Sequence, residues 1–302
     1  MAGDWESIFA GWTKPASDAE ETRYENTCKE IRKAIDASSA LSKYHFSVYP
    51  KGSYPNFTNV VRDSDVDISV ELTSFVYNEF TYEAEGLTLE DLGSSPASDP
   101  YGLPEFKDDV ERALTAHFGS DAVARGDKAI RVRQTASFLK ADVVPCATQR
   151  VWQSRTIFHD GIRLQRDSAP YPPIINYPTQ HRDEGVAKNE RCQKRYKRVV
   201  RILKNLENHM VKEGVISVVP SFLIESGVWN VPDHLLRDPA TWTERVSFAV
   251  GHMMIGTSDD DCIGSDDWLE ANGIKFLFSA RQKWTRQDLN AFAHAAWSYC
   301  GL

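Results

Sequence analysis

The 302-residue sequence predicts an α+β fold of two lobes: a mixed sheet-and-helix lobe over residues 1–177 and a helical lobe over 178–302. Three observations carry that prediction. Asp65 to Leu72 alternates strictly, with Val66, Ile68 and Val70 on one face and Asp65, Asp67 and Ser69 on the other, and Phe138 to Cys146 reads as a second strand. Asp167 to Pro178 holds four prolines, which suits a segment crossing between lobes. Beyond it the pattern is helical to the end of the chain.

Residues 17–41 predict a helix, because Ile31, Ala34, Ile35 and Leu41 recur at roughly helical spacing and no proline interrupts. His45 to Tyr49 is a short alternating strand, and Lys51-Gly52-Ser53-Tyr54-Pro55-Asn56 a turn. Residues 84–104 are rich in Gly, Ser and Pro and read as a surface excursion. Leu103 to Phe118 predicts a helix and Lys128 to Val132 a strand. In the helical lobe the periodicity predicts helices over 178–212, 220–230, 238–256 and 284–299, with no internal repeat.

Hydrophobic residues at 41% and charged residues at 26% exclude a disordered or fibrous chain. The formal charge of −8 makes a poor general binder of nucleic acid or anionic membrane, so a polyanion site must be a local basic patch. Five scattered cysteines without a CxxC pair argue against a zinc ribbon or a disulfide framework, and for a reduced, cytoplasmic protein. The first fifteen residues lack the pattern of a signal peptide, and no run approaches the ~18 apolar residues of a membrane span.

The informative stretch is Lys51 to Glu71. A Gly52-Ser53 turn is followed by Asp65 and Asp67 on one strand face, roughly 6.5–7 Å apart along it. Two such carboxylates cannot both be buried and ionised without a cation between them. Mg²⁺ suits them, since it takes oxygen ligands and shares its shell with substrate phosphates. Gly52 permits close backbone approach to a phosphate, and Ser53 supplies a hydroxyl. Asp63 offers a competing Asp63-x-Asp65 pair, rejected because the apolar alternation selects Asp65 and Asp67. Asp142 is the lone acid in Phe138 to Cys146. As a third strand carboxylate it would complete a two-metal site.

These residues resemble the DNA polymerase β-like nucleotidyltransferases, and within them the cGAS/DncV-like nucleotidyltransferases of bacteria. Segments from Ile175 to His181, Ala187 to Asn189, Tyr196-Lys197, Arg201 to Lys204 and Pro220 to Glu225 are similar to the CdnE-type clade. The resemblance covers roughly residues 20 to 300. It implies a polymerase β-like core with a helical C-terminal lobe, the active site in the cleft, and a monomeric chain that makes a cyclic di- or trinucleotide from NTPs. That product would activate a separate effector in antiphage defence. By position, Gly52 and Ser53 hold donor phosphates. Asp65 and Asp67 bind two Mg²⁺ ions (Mn²⁺ as the alternative), and Asp142 binds the catalytic one and helps deprotonate the acceptor hydroxyl. Lys204 and Ser221 hold the donor triphosphate, and Phe222 stacks on its base. Asn176, before Tyr-Pro in the crossing segment, would read a pyrimidine, because its amide matches a uracil carbonyl and N3–H together; the alternative is that it caps the helix that starts near Pro178. The expected substrates are UTP and ATP, and the product cyclic di-UMP or cyclic UMP–AMP.

The residues themselves agree on Lys204. Residues 181–204 carry nine basic against three acidic residues, with Lys197, Arg201 and Lys204 on one helix face. His181 is a weaker candidate for touching an acceptor nucleotide. The acidic run Asp259 to Asp261 reads as a solvated loop, and Cys146 as core. Three rival readings are a linear RNA-tailing enzyme on the same core, a DNA-gated enzyme and a catalytically silent nucleotide sensor. The single local basic patch argues against the first. The lack of a His/Cys zinc cluster and of a basic N-terminal arm argues against the second, and the three acids with Gly52-Ser53 against the third.

Overall fold

The computed structural model describes residues 4–15, 17–60, 65–96, 98, 101–168, 172–258 and 267–302. The chain forms two compact units: Ser17–Tyr54 with Ser64–Pro178, and Met1–Ala16 with Pro55–Asp63 and Thr179–Leu302. The units are therefore interleaved in sequence, with the segment after the Gly52-Ser53 turn assigned to the helical unit. The chain opens with α1 (Trp5–Trp12), which no sequence pattern had marked; its Phe9 is fully buried among the helical-unit apolar residues.

The sheet unit begins with α2 (Asp18–Asp36), whose N-terminus is capped by Ser17 accepting from the Glu20 N–H. The helix stops at Asp36 rather than 41, and Leu41 is buried in a separate turn. Strand β1 (Phe46–Lys51) runs two residues past the expected end, and β2 (Val66–Phe80) runs eight past Leu72, with a bulge between Leu72 and Val76. Helix α3 (Leu103–Phe118) lies where its periodicity places it. Then come β3 (Val123–Arg125), β4 (Ile130–Val132), β5 (Ala141–Trp152), β6 (Phe158–Leu164) and β7 (Ile174–Asn176). The sheet order is β1-β2-β5-β4-β3, with β6 bonded to β5 and β7 to β6. Strands β2 and β5 are parallel, and the other pairs are antiparallel. Val66, Ile68, Val70 and Leu72 of β2 and Ala141, Val143 and Ala147 of β5 share one buried cluster with Ile31, Ile35, Phe106 and Leu114. Each such large apolar side chain contributes about 1.5–3 kcal/mol on burial. The opposite face carries Asp67, Ser69 and Glu71 of β2 and Asp142 of β5, while Val144 and Cys146 of β5 join a separate buried cluster with Ile162 and Leu164 of β6.

In the helical unit, the expected helix over 178–212 is two: α4 (Pro178–Arg191) and α5 (Tyr196–Lys212). Gln193 and Lys194 both take the left-handed backbone, φ 49° and 63°, which ends α4. There follow α6 (Ser221–Asn230), α7 (Asp233–Arg237), α8 (Trp242–Gly256) and α9 (Arg286–Cys300). α8 starts at 242 rather than 238 because Thr241 and Glu244 form a capping box. α5 is buried on most sides: Val199, Val200, Ile202, Leu203, Leu206 and Met210 are fully covered. No helix of the described residues is long and apolar enough to cross a membrane.

Candidate active site

On the polar face of the sheet, four charged residues line up across four strands. Lys51 at the end of β1 is the register partner of Asp67 on β2. Asp67 is the partner of Asp142 on β5, and Asp142 that of Arg131 on β4. The row reads plus, minus, minus, plus. With strands about 4.8 Å apart, it spans about 14 Å.

The two carboxylates in the middle disfavour each other. Burial first, and then the charges of Asp142 and Asp65, raise the Asp67 pKa above the ordinary carboxylate value, while Lys51 opposes them. Asp142 Oδ1 is buried and accepts no hydrogen bond among the described residues. Arg131 Nε lies 3.6 Å from it, too far to bond. Asp65 sits one residue ahead of β2 and pairs with Lys140, one residue ahead of β5. The Val66 N–H donates to the Lys140 carbonyl at 2.9 Å, which fixes the two strand starts side by side.

Gly52 has φ +76°, and a Cβ there would lie 2.7 Å from Asp67 Oδ2. Glycine is therefore required twice, by the left-handed backbone and by the space that Asp67 takes. The Ser53 hydroxyl is half-buried and makes no hydrogen bond among the described residues. Asn176 is the last residue of β7. Its side-chain amide has no hydrogen-bond partner among the described residues, so it does not cap α4.

The helical unit places its predicted residues differently. Lys204 is buried and donates to Glu225 Oε2 at 3.0 Å. The same carboxylate accepts from the Thr58 hydroxyl at 2.9 Å, and His181 Nε2 lies 2.8 Å from Oε1. Asn56 Nδ2 is 3.2 Å from His181 Nδ1. Burial alone would raise the Glu225 pKa, but Lys204 and His181 reverse this and hold it well below the ordinary carboxylate range. His181 is thus a member of a buried network. The rest of the expected basic stripe is also occupied structurally. Arg201 donates to the carbonyls of Thr13 and Phe57, and burial lowers its pKa to about 10. Lys197 lies over the Phe57 ring at 5.7 Å. Ser221 is the first residue of α6, and the adjoining Phe222 ring packs edge-on against His181, centroids 5.2 Å apart.

A family model for the cGAS/DncV-like nucleotidyltransferase C-terminal helical domain matches residues 183–301. The cyclic dipyrimidine nucleotide synthase CdnE of Cecembia lonarensis is 35% identical over 99% of both chains. The chain belongs to the cGAS/DncV-like nucleotidyltransferases, in the CdnE group. The cyclic dipyrimidine nucleotide synthase CdnE of Legionella pneumophila is 36% identical over 99% of both chains. The solved structure of the Rhodothermus marinus CdnE c-UMP-AMP synthase with Apcpp and Upnpp superposes with a TM-score of 0.83 at 28% identity. It covers 98% of this chain and 97% of that one. This CdnE-group chain is accordingly an enzyme, a nucleotidyltransferase with the polymerase β-like sheet and a helical C-terminal unit.

Nucleotidyltransferases of this family use divalent metal ions. Among the described residues no three His, Cys, Asp or Glu side chains converge as a ready ligand set. The donor set still fits a divalent ion. Asp67 and Asp142 are facing oxygen donors whose repulsion a cation would relieve, and Asp142 presents an unbonded buried oxygen. Asp65 would exchange Lys140 for the ion.

Three partners in this geometry escape the sequence reading: Lys51, Arg131 and Glu225. Arg131 alternates between Ile130 and Val132, a strand pattern that marks it as facing away from the core. Glu225 carries no such signal, because its partners come from distant segments. Cys146 is fully buried, and burial raises its thiol pKa to about 12, so it is core and no nucleophile. Asp63 and the run Asp259 to Asp261 lie outside the described residues.

Proposed function

We propose that this enzyme joins NTPs into a uridine-containing cyclic dinucleotide, cyclic di-UMP or cyclic UMP–AMP, with release of pyrophosphate. The observation that carries the proposal is the facing pair Asp67 and Asp142 in a chain 35–36% identical to two cyclic dipyrimidine nucleotide synthases. A ribose hydroxyl attacks the α-phosphorus of an NTP and pyrophosphate leaves; a second transfer closes the ring. Asp65, Asp67 and Asp142 would hold two Mg²⁺ ions, or Mn²⁺. Such ions neutralise charge on the phosphoryl oxygens and acidify the attacking hydroxyl. Asp142, with its unbonded oxygen, takes the proton of the acceptor hydroxyl. The Gly52 backbone lies against the donor phosphates, and the Ser53 hydroxyl donates to one of them. Lys204 and Ser221 hold the triphosphate, and Phe222 offers its ring to the donor base. Asn176 supplies a paired donor and acceptor for uracil, and its free amide supports that role over capping. The active chain is a monomer that needs no DNA. Its product is read by a separate effector in antiphage defence.

The test is incubation of the purified protein with all four NTPs and Mg²⁺ or Mn²⁺, phosphatase treatment, and mass analysis of the resistant product. A resistant cyclic dinucleotide containing uridine is expected. Only linear, phosphatase-sensitive chains, or only purine products, would refute the proposal.

A further inference from the structure

We propose that a cavity beside the acid pair, on its β4 side, is a subsite for the 5′-phosphates of the acceptor nucleotide. The inference rests on the nucleotidyltransfer just described and names a site within it. The cavity encloses about 370 Å³ and is lined by Arg131, Arg133, Gln134 and Lys140, with Asp65 and Asp121 also on its wall. Its position follows from the sheet order β1-β2-β5-β4-β3. The Gly52-Ser53 turn follows β1, on one side of Asp67 and Asp142, and the cavity lies on the other. A donor whose phosphates rest at Gly52 leaves the β4 side, next to Asp142, for the attacking nucleotide.

The charges favour a phosphate chain there over a base or a ribose, neither of which needs three cations. Arg133 is exposed, and its guanidinium makes no hydrogen bond or ion pair among the described residues. Lys140 is paired with Asp65, and Arg131 faces Asp142. Those two carboxylates are among the three that would hold the divalent ions. When they do, Lys140 and Arg131 lose their counter-charges, and the lining presents three cations against Asp121. Guanidinium groups bind phosphate oxygens through two parallel hydrogen bonds, and the diphosphate of a nucleotide offers several acceptors. Filling the metal site and filling the subsite therefore reinforce each other.

The experiment uses acceptors that cannot act as donors: a nucleoside, its 5′-monophosphate and its 5′-diphosphate, with a labelled NTP as donor and Mg²⁺ present. The wild-type protein is expected to use the diphosphate at least tenfold better than the nucleoside in kcat/KM. In Arg133→Gln, and further in Arg133→Glu, that ratio is expected to fall below threefold. A second readout needs no turnover. Calorimetric titration of nucleoside and diphosphate into protein saturated with an α,β-methylene triphosphate should give the same ratios. Equal use and equal binding of the three acceptors by wild type would overturn the subsite. So would a gradient that survives unchanged in both Arg133 variants. If NTPs gave no product at all, the nucleotidyltransfer reading would fail, and the binding ratios alone would decide whether the cavity takes phosphates.

Discussion

Lys204 Nζ lies 3.0 Å from Glu225 Oε2, and neither side chain is more than 4% exposed. A lysine proposed to hold a triphosphate is thus already held by a buried carboxylate, which also accepts from Thr58 and meets His181. The pair links α5 to α6 within the helical unit and sets where the ammonium sits. The proposed phosphate contact would therefore rest on a residue that the fold also uses.

Glu225→Gln should therefore cost about 3–5 kcal/mol, because it leaves the Lys204 charge buried without its partner. Denaturant unfolding measures the loss. Since the Glu225 carboxyl is depressed below its ordinary value of 4.5, its contribution is fully present above about pH 5 and is lost only as pH falls through the lower folded value. The wild-type-to-variant gap should accordingly stay constant from pH 8 to about pH 5. Lys204→Ala should lose comparable stability in addition to a raised KM for NTPs. A Lys204→Ala protein as stable as wild type would show that the pair contributes nothing to folding.

Asp67→Asn should abolish turnover yet leave the melting temperature at pH 7 unchanged or higher. A carboxylate whose folded pKa is raised costs stability when ionised, and that cost disappears as pH falls through the folded value. Any gain from the substitution should therefore shrink as the buffer is acidified. Addition of Mg²⁺ should raise the melting temperature of wild type and not of the variant, by ligand linkage. Activity within about tenfold of wild type, a loss of only ~1.4 kcal/mol in the barrier, would remove Asp67 from the metal site.

Gly52→Ala should be damaging in both respects. The left-handed backbone costs an L-residue about 1–2 kcal/mol, and the new methyl meets Asp67 Oδ2. A fall in Tm together with a fall in kcat is the expected result; a variant normal in both would show that the turn can move away from Asp67.

Asn176→Ser should change base choice and not stability. The amide bonds to nothing among the described residues, so its removal leaves no buried group unpaired. Labelled UTP and ATP supplied together should show uridine falling relative to adenosine in the product. A drop in Tm with an unchanged UTP-to-ATP ratio would make Asn176 structural.

The central strands and the polar-face position of their acids were legible from the sequence because strand periodicity is a local property. The alternation of Val66, Ile68 and Val70 is enough to set Asp67 on the polar face, and the same rule marks Asp142. Helix α3 was read to the residue for the same reason. The break between α4 and α5 was not, since two left-handed residues, Gln193 and Lys194, carry no glycine or proline to announce them. Nor were β3, β6 and β7 anticipated, because each is held by pairing with another segment: β3 by β4, β6 by β5 and β7 by β6. The sequence by itself determined which residues carry charge and which face of a strand each one takes. Tertiary structure alone decided which charges meet: that Lys51, Asp67, Asp142 and Arg131 fall in one register row, and that Lys204 is neutralised by Glu225. The physical reason is that side-chain direction follows from backbone geometry over a few residues. Pairing between strands and burial of a charge depend on segments far apart in the chain.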